Sequence, residues 1–461
     1  MKKLFRIFGI NLIILNSSIV VIGCRPASLG EIWVLTDGGD LFDKAFNQQV
    51  VEGSDDFVSE FNKNRELISK FPGFENWKSQ EMRLKWIIAK DGDLATLQNN
   101  YNIASYAGAK TIICVGFHHI SALTLQLQRI YQDLGVKFIL VDSELNNPIN
   151  VAGLTYASDE SGYLAGLAGA IWLAANYEQY QSNGGLKMST FGGLPSDVIV
   201  RIMMGYYWGV EYFNQYKSSD DLILTMVNSI RTNNGKEEMT KDQLTSSSKN
   251  VIFDKLQNSF TNGFDSGSNN ARVITSQLIN VNKNDIVLPV AGAQTTDLIS
   301  AIVNSQDNKT AKIIGVDVDQ SQQYHYAEKL FITSALKGIH SSVNWMLWNS
   351  FNLAKDENNQ IIEQPDGEKY FNGQEKYTPL GGKEYTGIAN NRAIEAIYQS
   401  LDNQKYWDLA QKVSIAFDKL NADLTNVTDS KKWDNAWQTA VNKENPDYRP
   451  DFGSIGTKNI N

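Results

Sequence analysis

The sequence predicts an α/β fold built from doubly wound layers. Short apolar runs rich in β-branched residues recur along the chain, helical periodicities separate them, and the runs end on Asp or Gly. The runs are EIWVL from Glu31, KTIICV from Lys110, VKFILV from Val136, DIVLPV from Asp285 and AKII from Ala311. Uninterrupted apolar character, without polar alternation, marks strands buried on both faces, as in a parallel sheet covered by helices. Residues 46–61 and 120–134 carry helical patterns. Alternating β and α units give a doubly wound sheet. In such sheets a ligand sits beyond the carboxyl ends of the strands.

Those ends carry the candidate functional residues: Asp37 after the first run, Gly116 and Phe117 after the second, Asp142 after the third, Gly292 after the fourth, and GVDVDQ, residues 315–320, closing the fifth. An Asp after a strand is equally a helix N-cap, so each acid alone has two readings.

The chain opens on Lys2, Lys3 and Arg6, then an apolar stretch, residues 7–22, then Ile22-Gly23-Cys24. A charged start, a short apolar region and a small residue before a Cys are expected to form a secretion signal, residues 1–23. Cys24 would carry the lipid and residues 24–30 the tether; an uncleaved membrane anchor is the alternative. Both readings put the remainder outside the cytoplasm, on the extracellular face of the cell membrane. Losing the leader's three positive charges takes the formal charge from −9 to −12. That acidity argues against nucleic acid as a partner, because phosphate binding needs a basic surface. The other cysteine, Cys114, lies inside an apolar run and is expected to be a buried hydrophobe.

No enzyme motif is visible. The four histidines, His118, His119, His325 and His340, have no metal-ligand spacing with Cys or carboxylates. Phosphate-binding loops, nucleophile elbows and zinc-protease helices are absent from the sequence. No cofactor or metal is expected, and the chain reads as a binding protein expected to be a monomer.

Three polar stretches, residues 62–90, 218–262 and 356–383, are expected to be surface insertions, partly disordered. Trp433 and Trp437 in the tail stand at helical spacing, which reads as a packing face.

The run LTDGGDLFDKAFNQ, residues 35–48, resembles the opening motif of the basic membrane protein (BMP)/PnrA-type lipoproteins, the substrate-binding subunits of nucleoside ABC importers. Ala45 stands where that pattern has Ser. Further segments are similar and keep the family's order: VGF at Val115, FILVD at Phe138, ESGYLAG at Glu160, GGLP at Gly192, MGYYWG at Met204, GVDVDQ at Gly315 and SALKG at Ser334. GFDSG at Gly263 is similar more loosely. The resemblance runs from about residue 31 to 350.

The resemblance implies a type I periplasmic-binding-protein fold, with two α/β lobes joined by crossover strands. Lobe 1 is expected at residues 31–145 plus 337–357, and lobe 2 at 146–336 plus 376–461. It implies a purine nucleoside as ligand and an ABC permease as partner. Carried over residue by residue, the ligand contacts would be Asp37, Phe46, Asn47, Asp142, Phe264, Gly292, Asp317 and Lys337. Phe46 and Phe264 would stack on the base. Asn47 would offer a donor and an acceptor from one amide. Asp317 would accept from the ribose hydroxyls, and Lys337 would donate while neutralising a buried acid. Phe46 also fits a helix core, Asp37 and Asn47 fit turns, Lys337 fits a surface, and Asp319 reads as a cap. Gly162 and Gly166 read as close helix packing. A surface adhesin on this fold and a nucleoside hydrolase stay open as alternative functions.

Overall fold

The computed structural model describes residues 31–180, 184–374, 380–441 and 448–452. The leader, Cys24 and the tether lie outside the described residues. The fold is the α/β type I periplasmic-binding-protein arrangement: two sheets, each wrapped in helices, with the chain crossing between them.

The first sheet holds β1 (Glu31–Thr36), β2 (Leu84–Ile87), β3 (Ala109–Val115), β4 (Lys137–Val141) and β5 (Val151–Leu154), in the order β2-β1-β3-β4-β5 and all parallel. Successive side chains point to opposite faces. Ile32, Val34, Ile113, Val115, Ile139 and Val141 pack with Phe57, Phe61 and Trp348, from the Phe46–Lys63 and Ile339–Ser350 helices. Trp33, Leu35, Ile112, Cys114, Phe138 and Leu140 pack on the other face with Leu97, Tyr101 and Tyr131. Two covered faces explain why apolar residues follow one another through the middle of these strands. Cys114 is a free buried thiol, and burial pushes its pKa far up.

The second sheet holds β6 (Leu186–Gly192), β7 (Val251–Phe253), β8 (Ile286–Val290), β9 (Lys312–Asp317), β10 (Phe331–Lys337) and, after a two-stranded ribbon of β11 (Leu353–Lys355) and β12 (Ile361–Glu363), β13 (Thr386–Ile388). The order is β13-β10-β9-β8-β6-β7, parallel except that β13 runs antiparallel to β10. The Ser158–Ala175 helix is buried at all 18 positions. It meets the Asp197–Tyr216 helix through glycines: a Cβ on Gly166 or Gly205 would fall 2.2 or 2.1 Å from the facing carbonyl oxygen of Tyr206 or Asp159. The close packing expected at Gly162 and Gly166 is therefore what these residues do. Trp433 and Trp437 are buried in the same core, and Trp437 Nε1 donates to Ser259 Oγ at 3.0 Å.

Three connections cross between the lobes. Thr155 to Ala157 leave β5, Gly338 follows β10, and residues 380–385 return to β13. They hydrogen-bond to one another: Leu380 N donates to Thr155 O at 2.7 Å, Ala157 N to Leu380 O at 2.8 Å, and Gly338 N to Tyr385 O at 2.8 Å.

Several expectations need correction. β5 lies in the first sheet, beyond the lobe boundary expected at residue 146. The helix expected over 120–134 is two, His119–Ala122 and Leu125–Asp133, because Thr124 caps the second by accepting from Leu127 N. The polar stretches are built into the lobes. Residues 62–90 carry β2 and Trp77, buried against Phe61. Residues 218–262 carry β7 and the Asp221–Asn233 helix, whose Ile223, Met226, Val227 and Ile230 form one buried stripe. Residues 356–383 carry β12, and 375–379 lie outside the described residues.

Candidate ligand-binding cleft

The carboxyl ends of both sheets open onto one cleft of about 870 Å³, within the usual range for a small-molecule site. All eight residues singled out from the sequence line it: Asp37, Phe46, Asn47, Asp142, Phe264, Gly292, Asp317 and Lys337.

The opening segment is held by an acid that sequence reasoning passed over. Asp43 accepts from the backbone N–H groups of Ala45 at 3.0 Å, Asn47 at 3.1 Å and Gln48 at 3.2 Å, so it caps the helix that begins at Phe46. Burial pushes its pKa up to about 6, against the opposing pull of those three donors. The spacing from Asp43 into the helix was the available signal. Asn47 Nδ2 donates to Asp40 O at 2.9 Å with one of its two N–H groups, which fixes the amide against the turn at the cleft wall. Asp37 follows β1 and accepts from both the backbone N and the ring Nδ1 of His118, each at 2.8 Å. His118 follows the strand-end VGF and was not singled out, although the strand-end rule reaches it.

The centre of the cleft is an ionic triad. Lys337 Nζ lies 2.7 Å from Asp142 Oδ2 and 3.6 Å from Asp317 Oδ1. The side chains are 3%, 3% and 10% exposed. Each comes from the end of a different strand: β10, β4 and β9. Asp142 and Asp317 take φ of 60° and 67°, the left-handed region that short polar side chains tolerate best. Burial raises both acids above the usual carboxylate range, and the lysine offsets part of that. Burial pulls Lys337 down, but the two carboxylates outweigh it and its pKa rises. Two buried carboxyl groups share one ammonium. Such a site suits a ligand that brings hydroxyl donors. The same Nζ stands 5.8 Å from the centre of the Phe46 ring.

From the second lobe, Phe264 packs flush on Gly193, where a Cβ would fall 2.4 Å from the ring. Its loop is pinned by Gln294 Nε2 donating to Gly263 O at 2.9 Å and by Gly267 N donating to Asp297. Gly292 O accepts from Gln320 Nε2 at 3.0 Å, and a Cβ on Gly292 would fall 2.4 Å from Ala45 Cβ of the opposite lobe. The lobes also touch where Phe117 meets Phe264, with ring centres 6.2 Å apart, and where Lys44 Nζ sits 4.9 Å over Tyr324. Asp319 caps the short Gln320–Gln323 helix by accepting from Ser321 N at 3.1 Å, as the sequence implied. Gln320 is structural: it accepts from Thr295 Oγ1 and Val316 N while donating to Gly292 O, tying the ends of β8 and β9 together.

Residues 31–259 match the family described as PnrA-like ABC transporter substrate-binding proteins. The chain is 29% identical over 221 residues to the ABC transporter nucleoside-binding protein BmpA of Lactococcus lactis subsp. cremoris, covering 46% of this chain and 54% of that one. It is 24% identical over 338 residues to an uncharacterized lipoprotein, MG040, of Mycoplasma genitalium, covering 63% and 55%. The aligned region thus spans little more than half the length of these two relatives. Among solved structures, an ABC transporter solute-binding protein from Aeropyrum pernix K1 matches with a TM-score of 0.51 at 16% identity, over 90% of this chain and 92% of the other. That likeness speaks to the fold.

Proposed function

This chain belongs to the PnrA-like family of ABC transporter substrate-binding proteins, and on that premise we propose that it captures nucleosides, purine nucleosides above all, outside the cell and hands them to an ABC permease. The observation that carries the reading is the meeting, in one cleft, of Phe46 and Phe264 with the Lys337 triad. Flat apolar rings suit a base, and stacking contributes about 1–3 kcal/mol per face. The triad suits a ribose. Vicinal hydroxyls donate to Asp317 and Asp142, and Lys337 donates to a sugar oxygen while balancing the acids. No covalent step is involved. Closure of the lobes about the three crossovers completes the ligand's surroundings, and the closed pair of lobes is what docks on the permease.

We place the protein on the outer face of the membrane through a lipid on Cys24. Six residues, Arg25 to Gly30, separate that cysteine from β1. At about 3.5 Å per extended residue they reach roughly 20 Å, which holds the cleft beside the permease.

A thermal-shift panel of nucleosides tests the reading. One or more purine nucleosides are expected to raise the melting temperature, by linkage worth about 2.7 kcal/mol at a hundred times Kd. No response to any nucleoside overturns it. Phe46→Ala is expected to weaken binding about tenfold or more with the apo fold intact, as measured by titration calorimetry.

A further inference from the structure

The Asp37–His118 pair is constructed more tightly than a loop contact requires. Asp37 Oδ2 takes two donors from one residue, the backbone N and the ring Nδ1 of His118. Gly116, with φ of 118°, leaves room for that carboxylate: a Cβ there would fall 1.9 Å from Oδ1. Gly92 leaves room for the imidazole, since a Cβ there would fall 2.3 Å from His118 Cγ. Two glycines and two hydrogen bonds thus fix one ring, whose side chain is still 57% exposed and lines the cleft. Phe117, the preceding residue, touches Phe264, so the ring stands beside the aromatic ground assigned above to the base.

The tautomer follows from the partner. An ionised carboxylate only accepts, so a neutral His118 carries its proton on Nδ1 and presents a lone pair at Nε2. Nε2 has no hydrogen-bond partner among the described residues. Asp37 Oδ1 is an acceptor as well. This side of the cleft therefore offers fixed acceptors.

Resting on the nucleoside reading, we infer that His118 is a specificity-determining residue. With Asp37 it reads the base edge and selects a purine that presents two adjacent N–H donors, as a 2-amino-6-oxopurine does. Such a base satisfies both acceptors at N1 and N2. Hypoxanthine satisfies one. Adenine sets its N1 lone pair against an acceptor. A missing donor leaves a desolvated acceptor unpaired, which costs about tenfold in affinity or more.

The test is calorimetric titration of guanosine, inosine and adenosine into the full chain and two variants, with apo melting curves as the check on folding. The wild-type protein is expected to bind guanosine about tenfold more tightly than inosine, and inosine more tightly than adenosine. H118N keeps a side-chain N–H near the Nδ1 position but loses the second acceptor, so the guanosine–inosine gap should close. H118Q places a carbonyl oxygen near the Nε2 position and should restore part of the gap. A wild-type protein that binds nucleosides without preferring guanosine, or an H118N variant that keeps the full gap, overturns the inference and leaves the nucleoside reading standing. Loss of the gap in both variants to the same extent also overturns the direct contact. Binding of no nucleoside at all removes the nucleoside reading and this inference with it.

Discussion

At Lys337 and at Arg201, one cation stands between two buried or half-buried carboxylates. In the cleft, Lys337 meets Asp142 and Asp317, both nearly closed to solvent. In the second lobe, Arg201 donates from Nη1 to Asp159 at 3.0 Å and from Nη2 to Asp418, and its guanidinium lies 4.4 Å over the Phe417 ring. The stoichiometry is the same and the surroundings differ. Asp418 is 49% exposed, so water carries much of its charge, and Ser414 Oγ and the Phe417 face complete the arginine's shell. That cluster is finished as it stands and joins three helices of the core. The lysine is a point charge with no planar fork to share between two acids. On the function proposed above, its cluster is short of donors that a ligand would supply. The contrast then teaches that what would separate a structural ion cluster from a binding one is the number of donors the protein itself withholds.

Removing each cation probes the contrast most severely. Arg201→Met leaves Asp159 buried without its partner and is expected to cost about 3–5 kcal/mol in urea unfolding. Nucleoside binding should persist wherever the variant folds. Lys337→Met strands two acids in the cleft and should abolish binding in calorimetry. A Lys337→Met protein that binds as before would make the two clusters equivalent and end the distinction.

A smaller effect, with a defined sign, comes from Asp43. Its folded pKa of about 6 lies above the ordinary carboxylate value. The folded state therefore holds this proton more tightly than the unfolded chain does. Its contribution favours the fold below about pH 4, fades as pH rises through 4 to 6, and is gone above. Asp43→Asn should remove that fall. Between pH 4 and pH 7 the gap between variant and parent should move in the variant's favour by about 2 kcal/mol, on top of a pH-independent cost from turning an NH₂ toward Asn47 N. Chemical melts at the two pH values read the difference, and equal gaps at both would refute it. The mildest change is Asp418→Asn, expected to shift stability by at most about 1 kcal/mol because the acid is half in water. A larger loss would show that the arginine cluster is as incomplete as the lysine one.

Legibility in the sequence followed burial. β1, β3, β4, β8 and β9 were readable because both faces are covered, so apolar residues run without a break. β6 and β10 hid behind hydroxyls. Thr190 Oγ1 donates to Leu288 O and Thr333 Oγ1 to Ala389 O, bonds that exist only once neighbouring segments are in place. β2, β7 and β13 lie at or near sheet edges and have three or four residues, too few for a pattern. In the cleft, the strand-end residues were legible because the fold class says where strands deliver ligand contacts. His118 needed two glycines to become visible, Gly92 beside its ring and Gly116 beside its partner Asp37, and neither advertises that duty in the sequence.

Cys114 supplies a last consequence. With Cys24 acylated, the mature chain would hold one thiol, at the centre of the first sheet, and none in the second lobe. The protein then carries its own clock. A thiol reagent added to the acylated chain reacts at Cys114 no faster than the first sheet opens. The labelling rate times that lobe's opening alone, and its slowing under ligand measures how firmly a bound molecule clamps one half of the receptor.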